Sequence, residues 1–143
     1  MTQTRIHAMP DGREIAYRFT PGQGPALVFL PGYMSDMAGG KATAVFEMAQ
    51  ATGVACLLLD YSGCGQSGGD FADGSLTRWK EEILALIEAL SIKGAVLIGS
   101  SMGGWLMLLA GLALGDKLKG LIGIAPAPDF TEWGIPQMDK ALL

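Results

Sequence analysis

Residues Gly99-Ser100-Ser101-Met102-Gly103 place a serine between two glycines in the pattern G-x-S-x-G. An apolar run precedes the motif and an apolar stretch of helical length follows it. A serine hydroxyl in that setting can attack a carbonyl carbon, form an acyl-enzyme and release the acid to water. The spacing suits the chemistry. A sharp strand-to-helix turn lifts the serine into strained backbone geometry, and glycines on either side let strand and helix approach without Cβ clashes. The helix that follows offers its first amides and its dipole to a developing oxyanion. Ser101 is therefore the candidate nucleophile. An ordinary glycine-rich turn is the alternative, and the strand and helix on either side of the motif weigh against it.

An oxyanion site needs a second amide from a loop after an earlier strand. Leu30-Pro31-Gly32-Tyr33 lies where that loop belongs, so the backbone amides of Tyr33 and Met102 are the candidate donors; Pro31-Gly32 also reads as a plain turn. A serine of ordinary pKa further needs a base. The sequence holds one histidine, His7, in the expected first strand, where a structural role at the sheet edge is the simpler reading. Asp129 could serve as an acid, but Asp129-Phe-Thr-Glu132 reads more simply as a helix capping box. Cys64 is a rival nucleophile without a base, and Asp60 and Ser67 read as residues that fix a loop.

The elements that would position these residues follow from periodicity. Residues 4–8 and 14–19 flank Pro10-Asp11-Gly12, a turn signal, and predict a β-hairpin. Residues 25–30, 54–59, 95–98 and 121–125 are short continuous apolar runs, the pattern of strands buried on both faces. Residues 41–52, 76–90 and 102–114 read as the intervening helices. In the second, Leu76, Trp79, Ile83, Leu86, Ile87 and Leu90 share one stripe with charges opposite, and Ser75 is placed to cap it. The alternation predicts an α/β fold with a largely parallel sheet.

Composition bounds the rest. The 143 residues suffice for one domain, with 50% apolar and 17% charged residues, which excludes a disordered chain. A net charge of −4 with scattered basic residues argues against nucleic-acid binding. The longest apolar stretch, Trp105 to Leu114, is half of what a membrane span requires. Cys56 and Cys64 form no disulfide framework and read as free thiols of a reducing compartment. With no secretory h-region at residues 1–5, a cytoplasmic location is expected.

Three segments taken together, Leu30-Pro-Gly-Tyr33, Asp60-Tyr-Ser-Gly-Cys-Gly-Gln-Ser67 and Gly99-Ser-Ser-Met-Gly-Gly-Trp105, resemble the α/β-hydrolase superfamily. Among its branches the sequence looks most like that of palmitoyl-protein thioesterases and mycophenolic acid acyl-glucuronide esterases, with their bacterial relatives. The resemblance runs from about residue 5 to 130. It implies Ser101 as nucleophile, Tyr33 and Met102 as oxyanion donors, an ester or thioester substrate on a small molecule or an acylated protein, and no cofactor or metal.

The same resemblance implies a triad acid and histidine after later strands, and no histidine follows Ser101 in the sequence. The sequence thus reads as the N-terminal part of the fold, with residues 1–130 a partial hydrolase domain and 131–143 the start of a cap segment or an altered tail. The expected consequences are impaired catalysis, or a non-catalytic module acting by association. Leu121–Ala125 as a bare sheet edge predicts marginal monomer stability, an apolar patch above about 400 Å² on the uncovered face, and self-association or completion by another polypeptide.

Overall fold

The computed structural model describes residues 3–33 and 35–126. Strands β1 (Arg5–Ala8) and β2 (Glu14–Thr20) form the expected hairpin. Its turn is closed by the Gly12 amide donating to the Met9 carbonyl at 2.9 Å and the Arg13 amide donating to the Asp11 carboxylate at 3.1 Å. Gly12 takes φ 94°, a conformation that a side chain would oppose.

Four further strands alternate with three helices: β3 (Gln23–Leu30), α1 (Gly40–Thr52), β4 (Val54–Leu59), α2 (Leu76–Ala89), β5 (Ala95–Ser100), α3 (Met102–Leu114) and β6 (Leu118–Ile124). The strand order is β1-β2-β4-β3-β5-β6. The last four run parallel, and β2 joins them antiparallel to β4, so the sheet is mixed at its hairpin side.

Both faces of β3, β4 and β5 are covered, which is why their sequences run apolar without alternation, whereas β6, also expected to be buried on both faces, has no buried residue. On one face Ala42, Phe46 and Ala49 of α1 pack on Phe29, Cys56, Leu58 and Ile98. On the other, Trp79, Ile83 and Leu86 of α2 and Leu106 and Ala110 of α3 pack on Val28, Leu57, Leu59 and Leu97. Ser75 caps α2 as expected, its hydroxyl accepting from the Arg78 amide at 3.1 Å.

Two expectations need correction. The last strand begins at Leu118, not Leu121, because its ladder with β5 starts at Ala95↔Leu118 and carries Lys119 into the sheet with it. The charges of α2 do not all lie opposite its apolar stripe: Glu82 is fully buried. At the outer side of the described sheet Leu121 and Ile122, on opposite faces of β6, remain 43% and 48% exposed.

Candidate functional site

Strand β5 passes into α3 through one residue, Ser101, at φ 55° and ψ −118°. A non-glycine residue in that region costs on the order of 1–3 kcal/mol and persists only where its surroundings hold it. Two features hold it here. The Ser101 amide donates to the Ile124 carbonyl of β6 at 3.1 Å, and its carbonyl accepts from the Gly104 amide at 2.9 Å. The glycines act as close-approach residues. A Cβ on Gly99 would lie 2.7 Å from the Gly103 carbonyl carbon and the Gly104 Cα, and one on Gly103 would collide with the Leu30 carbonyl oxygen. The Ser101 side chain itself is exposed.

The loop leaving β3 stands directly against this turn. A Cβ on Gly32 would fall 3.2 Å from the Ser101 Cβ and 3.8 Å from its Oγ. The fold therefore brings together the candidate nucleophile, Met102 at the first helical position, and the Gly32-Tyr33 segment. The Met102 N–H belongs to the first turn of α3, whose amides have no intrahelical acceptor. A cavity of about 230 Å³ opens beside the turn, lined by Phe29, Pro31, Gly32, Asp36, Lys41 and Ser100. A second cavity, about 360 Å³, lies at the opposite end of the strands between Phe19, Ala55, Ile92 and Lys93.

The glycine-rich loop after β4 supports the site from behind. The Asp60 carboxylate is buried and accepts from the Met37 amide at 2.7 Å and the Gln66 amide at 2.8 Å. Burial pushes its pKa up, opposed by those two amides. The Ser67 hydroxyl donates to the Asp60 carbonyl at 2.6 Å and accepts from the Ala16 amide at 2.8 Å. Both residues thus hold the loop, as expected. Tyr61 donates its hydroxyl to the Pro31 carbonyl at 2.9 Å. Its ring stacks on Trp79 at 5.4 Å, Trp79 contacts Phe71 at 5.6 Å, and Phe71 meets Tyr33 edge-on at 5.4 Å.

Beneath the loop, Glu82 accepts from the Ser62 amide and from the Arg13 guanidinium, each at 2.8 Å. Trp79 Nε1 donates to the Ser62 carbonyl at 3.1 Å. These residues escaped sequence reasoning. A signal existed for one of them: Glu82 is three positions beyond Trp79 and adjoins Ile83, so it interrupts an apolar stripe, and a charge there demands a partner.

The remaining candidates are not at the turn. His7 lies in β1, the outermost strand and four places from β5, or about 19 Å at ordinary strand spacing. Cys64 is buried in the loop after β4, and desolvation raises its thiol to about 12, which leaves almost no thiolate near neutral pH. Asp129 and residues 131–143 lie outside the described residues. Among the described residues, no cluster of three His, Cys, Asp or Glu side chains could hold a metal ion, and no helix is long and apolar enough to cross a membrane.

The sequence profile of the alpha/beta hydrolase family matches residues 27–142. The mitochondrial palmitoyl-protein thioesterase ABHD10 of Homo sapiens is 42% identical over 120 residues, covering 84% of this chain and 39% of that protein. Its Bos taurus counterpart is 39% identical over 128 residues, 90% of this chain and 42% of the relative. A solved structure from Agrobacterium vitis S4 superposes with a TM-score of 0.84 at 38% identity, covering 99% of this chain and 58% of the other. Mouse alpha/beta hydrolase domain-containing protein 10 gives 0.83 at 37% identity over 87% of this chain and 50% of its own. The chain therefore spans about two fifths of the length of these curated relatives. They also correct the expectation of a cytoplasmic location, because they are named as mitochondrial proteins. Free thiols indicate a reducing environment and do not say which compartment provides it.

Proposed function

Because the chain belongs to the alpha/beta hydrolase family, we propose that it hydrolyses carboxylic esters or thioesters through an acyl-enzyme on Ser101. The observation that carries this reading is the backbone of Ser101. Ser91 also has a positive φ, 54°, but among the described residues only Ser101 combines that backbone with exposure at the junction of a central strand and a helix, which is what a nucleophile needs. The amides of Tyr33 and Met102 receive the oxyanion of the tetrahedral intermediate. Substrates are small-molecule esters or thioesters or acylated proteins. The thioesterase name borne by the relatives supports the acyl-transfer class.

The base that takes the Ser101 proton is not His7, the sequence's single histidine, which the strand order keeps far from β5. These 143 residues alone are thus a weak hydrolase. Oxyanion stabilisation and binding without a working triad still leave an acceleration of roughly 10³–10⁴ over water. A fluorophosphonate probe tests the reading: labelling that disappears in Ser101→Ala supports it. Labelling that survives the substitution would place the reactive group elsewhere and overturn the assignment of Ser101, and its complete absence from the wild-type chain would favour the alternative of a non-catalytic module acting by binding or association. The isolation of His7 is the observation behind that alternative. Self-association would run through β6, where Leu121 and Ile122 are exposed. A single monomeric boundary in sedimentation velocity would remove that part of the proposal.

A further inference from the structure

We infer that Tyr61 is a positioning residue for the proposed oxyanion loop: its hydroxyl, by holding the Pro31 carbonyl, sets the direction of the Gly32-Tyr33 peptide against Ser101. The inference rests on the reading of Ser101 and Tyr33 given above and adds to it the group that orients the donor.

Pro31 and Met37 are each held by one of two consecutive residues of the neighbouring loop. Tyr61 holds the Pro31 carbonyl at 2.9 Å and Asp60 holds the Met37 amide at 2.7 Å. Between these ties lies Gly32, which has no Cβ to restrict rotation about its own bonds. Its neighbour Pro31 contributes no N–H that could serve as an alternative anchor. The Pro31 carbonyl belongs to the peptide entering Gly32, and the Tyr33 N–H belongs to the peptide leaving it. Gly32 joins the two, and the second is held as well by the Ser35 amide, which donates to the Gly32 carbonyl at 3.1 Å, so the Tyr61 bond on the first peptide and this turn bond on the second together set the direction of the Tyr33 N–H.

Tyr61 is built for that task. Its side chain is only 1% exposed, and the ring is sandwiched into place by Trp79 at 5.4 Å with an interplanar angle of 22°. Both chain neighbours are anchored, Asp60 by the amides it accepts and Ser62 by Glu82 and Trp79. Burial raises the phenol well above its ordinary range, so the hydroxyl remains a donor throughout the working pH range. A buried tyrosine whose only task was to fill the core could equally be phenylalanine. What the hydroxyl adds is one bond to the loop that carries the oxyanion donor.

Tyr61→Phe separates the two roles, because it keeps the ring on Trp79 and removes the oxygen alone. Positioning predicts a kcat for a p-nitrophenyl ester lower by about tenfold, with KM within about twofold, since misaligning an oxyanion donor affects the transition state more than the ground state. It also predicts displaced backbone amide resonances at Gly32 and Tyr33. Leu86→Ala, a core truncation in α2, controls for stability: it lowers the melting temperature without lowering kcat of the folded protein. If Ser101→Ala abolishes fluorophosphonate labelling while Tyr61→Phe matches wild type in kcat and in its Gly32 and Tyr33 resonances, the inference about Tyr61 fails and the reading of Ser101 stands. If labelling survives Ser101→Ala, that reading fails first. Should the wild-type chain show no turnover, unmoved Gly32 and Tyr33 resonances in Tyr61→Phe overturn the inference by themselves.

Discussion

A methyl group built on Gly32 would lie 3.2 Å from the Ser101 Cβ and 3.1 Å from the Ser100 carbonyl oxygen. Residues 69 positions apart thus share one van der Waals surface, and the loop after β3 and the turn after β5 form a single site. Since the Ser100 carbonyl is backbone, Gly32→Ala should shift the loop by a few tenths of an ångström relative to Ser101. Fluorophosphonate labelling of Ser101 should slow by about tenfold or more, the scale of a misplaced oxyanion donor. A wild-type labelling rate would show that the loop does not take part.

Ser101 holds an unfavourable backbone angle for the sake of the turn. Glycine at that position removes the strain, so Ser101→Gly should be more stable than Ser101→Ala by about 1 kcal/mol. Urea denaturation of the two variants measures the difference. Equal midpoints would mean that the serine stores no strain.

Arg13 and Glu82 tie the hairpin to α2 through a carboxylate that is fully buried, with the Arg13 side chain 13% exposed. Removing one partner leaves the other charge uncompensated. Arg13→Met should cost about 3 kcal/mol, and the double substitution Arg13→Met with Glu82→Met should recover a large part of it. A double-mutant cycle in urea checks the coupling. Additive losses would show that the pair acts as two independent residues.

Asp60 gives a pH dependence with a definite sign. Burial raises its folded pKa above the unfolded value, so between the two the folded chain holds the extra proton. Stability from this group therefore falls as pH rises through that window. Asp60→Asn should flatten this component when unfolding midpoints are compared between about pH 4 and 7. An unchanged slope would assign the titration elsewhere.

Burial raises the thiols of both Cys56 and Cys64 to about 12. Neither should react with a disulfide reagent at about pH 8 in the native chain, and both should react once it is unfolded in guanidinium. Rapid native labelling of Cys64 would reopen it as a nucleophile.

Local chemistry was legible in the sequence. The continuous apolar runs marked strands covered on both faces, Ser75 marked the start of α2, and the glycines around Ser101 marked a turn too tight for side chains. These are short-range properties, set by the residues' own periodicity and φ preferences. Glu82 was misread because a helical stripe shows that a charge sits among apolar neighbours but not which distant cation reaches it. The start of β6 was misread because Lys119 enters the strand through its ladder with β5, and its own hydropathy would exclude it.

The sequence by itself determined the alternation of strands and helices and the serine at the turn. The sequence pointed to the loop at Leu30–Tyr33, and only the tertiary structure decided how closely it stands against Ser101. That depends on β3 lying between β4 and β5, a consequence of strand order that no local pattern encodes. The same order puts His7 at the far edge and Tyr61 beneath Pro31, because contacts across a sheet are fixed by the pairing of whole strands.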